Sequence, residues 1–331
     1  MALTLKDIAE RTGLSSATVS RALGAVPSPY VSEDTRQRVR AVAAELGYRP
    51  NLNARNLATR RSNILALLTD DWFGAYHGLY GQAIPALAAA RGYTAVPESV
   101  EAAKVAGQGS PLLHWPVAGV IAIDVRAEAL RELEAENLPV VQVAAVCRPT
   151  GADQVQLDLQ AATEQAIRHL LTRGPRVAYL VAPEFAGFGD RRAVAYEQVM
   201  RAAGLVPVTI PLHVTERGSF RRAAQDSVRA WVARHGSPDG IFCNNDEMAV
   251  GCCRGLRDLG LRVPDDVAVV GCDGLEEAEF HNPALTTIVH PFAEVCTAAL
   301  DFITARIAQP DLPQQVAVFP SALVIRESSG G

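Results

Sequence analysis

Polar and aromatic side chains follow several apolar runs of this sequence, at points where a strand would end. They are Asp70, Asp71, Trp72, Phe73 and Tyr76, then Phe188, Asp190, Arg191 and Arg192, then Asn244, Asn245 and Asp246, and finally Asp273 and Phe292. Carboxylates, amides and arginine can give paired hydrogen bonds to hydroxyl groups, and aromatic faces can cover apolar C–H patches. This mixture is typical of a site for a sugar or a similar polyol.

Each of these residues also has a purely structural interpretation. Asn245 could simply cap the helix that follows it, and Asp273 could belong to a plain turn. Trp72 could be a core residue or a dimer contact, and Arg192 could form a surface ion pair. The residue types alone leave these alternatives open.

Apolar runs with strand character alternate with helical patterns from Asn63 onward. The runs cover residues 64–68, 117–123, 140–143, 176–181, 240–243 and 267–271. Such alternation predicts an α/β fold with parallel, doubly wound sheets, and about 270 residues of it favour two lobes. Ligands of such sheets bind beyond the carboxyl ends of the strands, which is where the candidate residues lie.

The first residues of the chain predict an all-α segment instead. Thr4 precedes Asp7 by three residues, a pattern that starts a helix, and Gly13 ends it. Ser15 is placed to cap a second short helix that carries small polar residues and then Arg21. Two short helices around a glycine turn predict a helix-turn-helix, whose second helix can enter the major groove of DNA.

A third helix and a short fourth pattern follow. Ser32 caps the third helix and Gly47 ends it. Residues 50–62 form another short helical pattern, which would be stable only when it is docked on DNA or on a second copy. A leucine on such a segment, here Leu57, can insert into the minor groove and kink the duplex. A plain helical hairpin used for packing is the structural alternative.

Charge is distributed unevenly along the 331 residues. Residues 1–62 contain ten Lys and Arg against five Asp and Glu, a net charge of +5. The remaining residues contain 21 against 31, a net charge of −10. A basic first segment on an acidic body localises the attraction for phosphate at one end of the chain.

Several function classes lack their sequence signatures. The six cysteines form no CxxC and no cluster with zinc-ligand spacing, so we expect small buried side chains, no metal and no cofactor. No run of about 18 apolar residues exists, which predicts no membrane span. With no secretory signal at the N-terminus, we expect a cytoplasmic, nucleoid-associated protein.

The first segment resembles the lactose/galactose-repressor (LacI/GalR) family of transcription regulators. The resemblance rests on residues 5–9, 13–15, 18–23, 31–32, 35–36 and 47–51. It implies that Ser16, Ala17 and Arg21 read bases. It also implies that Leu57 enters the minor groove, and that five other residues mainly contact phosphate or support the head, namely Ser15, Thr18, Ser20, Thr35 and Tyr48. Asn51 and Ala54 are further DNA-binding candidates in the hinge segment. The sequence departs from the common pattern between Gly24 and Tyr30, where the loop is slightly long.

The resemblance also covers the body. It implies that Arg192, Asn245, Asp273 and Phe292 contact an effector, and that Asp70 lies where the first lobe often touches the ligand. Trp72, Phe73, Tyr76 and Phe188 complete the expected set of effector-binding residues. Many sugar-binding relatives carry an aspartate where this chain has Ala144, and Gln142 could partly substitute for it. The missing aspartate argues against a standard hexose as the ligand. A sugar-like compound stays the leading interpretation, and the ligand class is open.

Together these observations predict the domains and the function. We expect a helix-turn-helix head over residues 1–49, a hinge helix over 50–62 and a periplasmic-binding-protein-like body over 63–331. Its N-lobe would cover about 63–160 and 290–317, and its C-lobe about 161–289 and 318–328. We expect a homodimeric repressor that binds pseudo-palindromic operator DNA under the control of a small polar effector.

Two other classes share parts of this pattern. A periplasmic-type sugar-binding protein would share the body, but it has no use for residues 1–62. A sugar-acting enzyme is the second alternative. The sequence contains no GxSxG elbow, no P-loop and no GxGxxG after the first strand, so we expect no enzymatic activity.

Overall fold

A computed structural model describes residues 3–24, 28–48, 62–69, 74–99, 116–125, 127–145, 147, 149–183, 190–212 and 219–331. The chain divides into two compact units, Met1–Arg61 and Ser62–Gly331. We call them the head and the body and describe each by itself.

Three helices form the described part of the head: α1 (Leu5–Thr12), α2 (Ser16–Ala22) and α3 (Glu33–Glu45). The side chains of Ile8, Val19 and Val39, one from each helix, are fully buried against one another. Leu14 and Leu23 pack on this core while partly exposed. The helix-turn-helix that the sequence predicts is therefore present as a small three-helix core.

Local hydrogen bonds explain where the head helices begin and end. The Ser15 hydroxyl accepts the Thr18 N–H at 3.1 Å, and the Ser32 hydroxyl accepts the Thr35 N–H at 3.3 Å. Each bond satisfies one of the N–H groups that the first turn of a helix leaves without a partner. Gly13 ends α1 with φ of 68°, a left-handed conformation that glycine adopts without steric cost.

The described part of the body contains two six-stranded sheets. The first sheet has the order β11-β5-β4-β3-β1-β2, and its strand pairs are parallel. Its strands are β1 (Ile64–Thr69), β2 (Thr94–Ser99), β3 (Gly119–Ile123), β4 (Val140–Ala144), β5 (Asp153–Asp158) and β11 (Val316–Pro320). Strands β1, β3 and β4 are buried along their whole length, which accounts for the continuous apolar runs in the sequence.

The second sheet has the order β12-β10-β9-β8-β6-β7. Only the edge strand β12 runs antiparallel to its neighbour. The strands are β6 (Val177–Val181), β7 (Val208–Pro211), β8 (Gly240–Cys243), β9 (Ala268–Asp273), β10 (Thr286–Val289) and β12 (Ala322–Val324). The expected two-lobed α/β architecture is confirmed, with one sheet in each lobe.

Helices cover the sheets. They are α4 (Ala75–Ala90), α5 (Ala127–Ala135), α6 (Gln160–Leu171), α7 (Arg191–Ala202), α8 (Phe220–His235), α9 (Asp246–Asp258), α10 (Glu277–Phe280) and α11 (Phe292–Ala308), followed by a short 3₁₀ turn at Glu327–Ser329. In the part of the chain that the structure describes, no helix is both long and apolar enough to cross a membrane.

The chain crosses between the two sheets three times: after β5, after β10 and after β11. Strand β11 pairs with β5 as far as Pro320, which lies opposite Asp158. The third crossing is therefore at Ser321, a few residues past the predicted end of the N-lobe at about residue 317. The alternating exposure of β11 on the sheet edge gives no apolar run that would have marked its end.

Helices α8 and α9 approach each other closely through two glycines of α9. A Cβ at Gly251 would overlap the carbonyl oxygen of Arg221, and a Cβ at Gly255 would lie 2.7 Å from the carbonyl oxygen of Gln225. Since a larger side chain cannot fit there, the two glycines set the spacing of these helices.

Candidate functional site

The candidate DNA-reading surface of the head is one face of α2. Ser16, Ala17, Ser20 and Arg21 are exposed, whereas Val19 on the opposite side is buried in the head core. The guanidinium of Arg21 lies over the Tyr30 ring, 5.7 Å from its centroid. The exposed face therefore combines small polar side chains with one positioned cation, a combination that can read base edges in a major groove.

The predicted phosphate-contacting residues have structural roles as well. The Ser15 and Thr18 hydroxyls are 2.9 Å apart, and the Ser32 and Thr35 hydroxyls are 2.8 Å apart. Tyr48 is partly buried and packs against the head core. Their positions at helix starts and on the core agree with a supporting role, and their contacts with DNA stay predictions.

Some predicted residues lie outside the described part of the chain. In the hinge segment these are Asn51, Ala54 and Leu57, and in the body they are Asp70, Trp72, Phe73 and Phe188. The roles assigned to them from the sequence stay predictions.

Arg192 anchors the C-lobe side of the candidate effector site. Its Nε donates to both carboxylate oxygens of Asp190, at 3.0 and 3.1 Å. Its Nη1 donates to the carbonyl oxygen of Asn244 at 2.7 Å and lies 3.9 Å from Cys272 Sγ. Burial by itself lowers the pKa of Arg192, but the surrounding groups, first among them the Asp190 carboxylate, together raise the pKa above its ordinary value. Arg192 is thus a largely buried cation held by Asp190, with its side chain 15% exposed, rather than part of a surface ion pair.

Asn245 caps α9, as its structural interpretation proposed. Its side-chain oxygen accepts the Met248 N–H at 2.8 Å. This bond uses one oxygen and does not exclude a second contact from the amide nitrogen.

Asp246, directly after the cap, is buried and tied to the neighbouring loops. One carboxylate oxygen accepts the Leu275 N–H at 2.8 Å, and the other accepts the Thr287 hydroxyl. Burial, together with the nearby charge of Asp273, raises the pKa of Asp246 to about 7. This carboxyl therefore helps to fix the loop that carries Asp273.

Asp273 ends β9 with φ of 142°, a backbone conformation that is rare for a residue with a side chain. Its carboxylate lies 3.9 Å from His290 Nε2, and both side chains are more than nine-tenths buried. A strained backbone at a buried polar residue is more common at functional sites than elsewhere.

Aromatic rings form the N-lobe side of the site. The Tyr76 ring makes an edge contact with His290, with centroids 5.9 Å apart. Its hydroxyl is 2.9 Å from that of Tyr80, whose ring lies 4.6 Å from Phe292. Burial raises the pKa values of both tyrosines, so they stay neutral hydrogen-bonding groups.

The structure thus connects most of the described candidates into one series of contacts. From the C-lobe to the N-lobe it consists of Arg192, Cys272, Asp273, His290, Tyr76, Tyr80 and Phe292. Gln142 is not among the contacts of this series. It is buried within β4 and its amide donates to the Thr150 hydroxyl, so its proposed substitution for an aspartate at Ala144 stays a prediction.

Three members of this series were not predicted from the sequence as site residues: His290, Tyr80 and Cys272. Cys272 was treated as a buried apolar residue, and it is indeed buried. The sequence could have indicated His290, because this residue directly follows the segment that forms β10. It therefore lies at the end of a strand, like the other candidates. Its contact with Asp273 depends on the pairing of β9 with β10, which the sequence does not state.

Two family descriptions match the chain. "Bacterial regulatory proteins, lacI family" matches residues 4–51, and "Periplasmic binding protein-like domain" matches residues 167–329.

The chain is also similar to individual proteins over nearly its whole length. It is 28% identical over 338 residues to the ribose operon repressor of Halalkalibacterium halodurans, covering 99% of this chain and 97% of the relative. It is 25% identical over 335 residues to catabolite control protein A of Priestia megaterium, covering 99% and 100%. The solved structure of the lac repressor dimer bound to operator and the anti-inducer ONPF superposes with a TM-score of 0.83, 26% identity and 99% coverage of both chains.

Proposed function

The chain belongs to the LacI family of bacterial regulatory proteins, and from this premise we propose that it is a repressor whose operator affinity is set by a small polar effector. The family resemblance inferred from the first segment is confirmed by the match over residues 4–51. The curated relatives are transcriptional repressors and regulators, so the enzyme alternative has no support among them.

One observation carries the DNA-binding part of the proposal. Helix α2 presents Ser16, Ala17, Ser20 and Arg21 on an exposed face, while Val19 and Ala22 hold it to the head core. A recognition helix needs such a polar face on a rigid support. In this proposal Ser16, Ala17 and Arg21 read bases, and Ser15, Thr18, Ser20, Thr35 and Tyr48 contact or support the backbone of the duplex.

The hinge completes the proposed DNA interface. Residues 50–62 would form a helix on DNA, with Asn51 and Ala54 at the duplex and Leu57 in the minor groove. Residues 1–49 would then be the reading head and residues 63–331 the sensor.

The effector proposal rests on the series of contacts from Arg192 to Phe292. A buried cation, a carboxylate and neutral tyrosines offer both donors and acceptors beside aromatic faces, which suits a polyol such as a sugar. The relatives named above include a ribose operon repressor. We propose that Asp70, Trp72, Phe73, Gln142, Phe188 and Asn245 complete this site.

A homodimer follows from the proposed target. A two-fold protein would place two heads on the half-sites of a pseudo-palindromic operator, as the lac repressor dimer binds its operator. Ligand closure of the two lobes would change the separation of the hinge segments, and hence the affinity for DNA. Such a protein acts in the cytoplasm, at the nucleoid.

The test has two stages. A thermal-shift screen over sugars, sugar phosphates, nucleosides and purines should find a compound that raises the melting temperature, because a ligand of the folded state stabilises it. Fluorescence anisotropy with a pseudo-palindromic fragment, selected from random DNA by the protein itself, should then show that this compound changes the affinity. Selection of no preferred sequence, or an affinity that a bound compound leaves unchanged, would contradict the proposal.

A further inference from the structure

Three side chains with metal-binding atoms meet at the boundary between the lobes. Cys272 Sγ, a carboxylate oxygen of Asp273 and an imidazole nitrogen of His290 all lie within 4.8 Å of one another. Cys272 is fully buried, and the side chains of Asp273 and His290 are 9% and 5% exposed. A protected group of thiol, carboxylate and imidazole differs from the exposed acidic clusters that are common on protein surfaces.

Strand pairing brings these residues together. Cys272 and Asp273 end β9, and Val289 of the parallel strand β10 pairs with Asp273. His290 follows Val289 directly, so its ring lies beside the end of β9. Because Cys272 and Asp273 end β9 and His290 directly follows the paired strand β10, the cluster is attached to the framework of the body.

The geometry is close to what a zinc ion needs. Zinc lies about 2.0–2.1 Å from nitrogen and about 2.0–2.3 Å from oxygen or sulfur, so two of its ligands are roughly 3.3–3.8 Å apart. His290 Nε2 and the Asp273 carboxylate are 3.9 Å apart, and all three donor atoms lie within 4.8 Å of one another, so the side chains would have to move closer together to hold the ion.

A second hydrogen bond orients the histidine. The other ring nitrogen, Nδ1, is 2.9 Å from the Ser321 hydroxyl. This bond directs Nε2 towards Asp273, which is the arrangement by which metal-bound histidines are commonly held through their second nitrogen.

The surrounding charge also favours a cation. The buried Asp246 carboxylate, which accepts the Leu275 N–H at 2.8 Å, lies beside the loop that carries Asp273. Arg192 is the nearby positive charge, and Asp190 neutralises it through two hydrogen bonds. A divalent ion would offset the remaining negative charge and could bind the Cys272 sulfur as a thiolate.

We propose that Cys272, Asp273 and His290 bind a divalent transition-metal ion, with zinc the best match to this donor set. The three residues supply three of the four ligands that zinc takes, and a water or an oxygen of a bound small molecule supplies the fourth. The ion joins the end of β9 to the second crossing between the lobes. Ion binding by this cluster goes beyond the proposed repressor function and can be measured without DNA.

Cobalt titration tests the proposal on the reduced, metal-stripped full-length protein. Co²⁺ adopts the coordination geometry of zinc and gives visible absorption, with a near-ultraviolet charge-transfer band when a thiolate is bound. We expect about one Co²⁺ per chain with this band, displacement by Zn²⁺, and a higher melting temperature with Zn²⁺.

Variants assign the site. Cys272→Ser should lose the charge-transfer band. Cys296→Ser should keep it, since Cys296 is an equally buried thiol of the same apolar core. His290→Gln should weaken Co²⁺ binding by at least the roughly 10–100-fold that loss of a supporting residue costs a metal site, and it provides the test if Cys272→Ser does not fold. Absence of the band in the native protein, its persistence in Cys272→Ser, or its equal loss in Cys296→Ser would overturn the proposal.

Discussion

His290 and Ser321 lie on two different crossings between the lobes, and a hydrogen bond of 2.9 Å joins His290 Nδ1 to Ser321 Oγ. The backbone N–H of Ser321 donates to the carbonyl oxygen of Asp158 at 3.0 Å. Asp158 is the last residue of β5, just before the remaining crossing. Ser321 therefore connects the three crossings between the lobes. Any movement of one lobe relative to the other would take place about these crossings.

Replacing Ser321 with alanine should loosen this connection. The change removes the bond to His290 and keeps the backbone bond to Asp158, so we expect the free energy of unfolding to fall by about 1 kcal/mol. Urea unfolding at fixed protein concentration measures the change. Ser219→Ala is the control, because Ser219 is exposed and its side chain makes no capping bond, and its effect should stay within about 0.5 kcal/mol. Equal effects of the two substitutions would contradict a role for the Ser321 hydroxyl.

Asp246 should make the protein less stable as the pH rises. Burial and the charge of Asp273 raise its pKa from 3.8 to about 7, so the folded state holds this proton more tightly than the unfolded state does. The resulting stabilisation is complete below about pH 4 and is lost as the pH rises through about 7.

The Asp246→Asn variant isolates this effect. Its amide oxygen can accept the Leu275 N–H, and its NH₂ group can donate to the Thr287 hydroxyl, so both bonds of the carboxyl are replaced. In metal-free buffer, the variant should lose less unfolding free energy than the native protein between about pH 4 and pH 8. Parallel pH profiles for the two proteins would show that the pKa of Asp246 is not raised.

The features that the sequence predicted correctly depend on neighbouring residues. Ser15 and Ser32 cap helices through bonds to residues three positions away, and the buried strands β1, β3 and β4 are continuous apolar runs. The Asp273–His290 contact instead depends on the register of β9 and β10. The register of two parallel strands cannot be inferred from the residues next to either strand. The extent of β11 was missed for the same reason, since its pairing with β5 joins residues far apart in the chain.

Gly251→Ala should be strongly destabilising, because the new Cβ would overlap the Arg221 carbonyl oxygen, which belongs to the backbone of α8. Separating the two helices should cost at least about 1–3 kcal/mol of unfolding free energy, measured by urea unfolding. Gly78→Ala is the matched control in another helix, since no atom of the described residues lies within 4 Å of a Cβ at that position. Replacing an unhindered helical glycine should raise the free energy of unfolding by about 0.5–1 kcal/mol. A tolerated alanine at Gly251 would mean that the α8–α9 spacing is adjustable.

Arg21→Ala should change which DNA sequences the protein prefers. Arg21 is exposed on the polar face of α2 and positioned over Tyr30. If it donates to a guanine in the major groove, its loss should cost roughly 1–3 kcal/mol at one base pair of each half-site and leave the other positions unaffected. Binding to a library of singly substituted operators measures this profile.

Arg11→Ala is the control, because it removes the same charge from α1, where Arg11 pairs with Glu45 across 3.4 Å. It should weaken binding to all sequences about equally or not at all. A uniform loss for Arg21→Ala would instead identify Arg21 as a phosphate contact and leave base reading to Ser16 and Ala17.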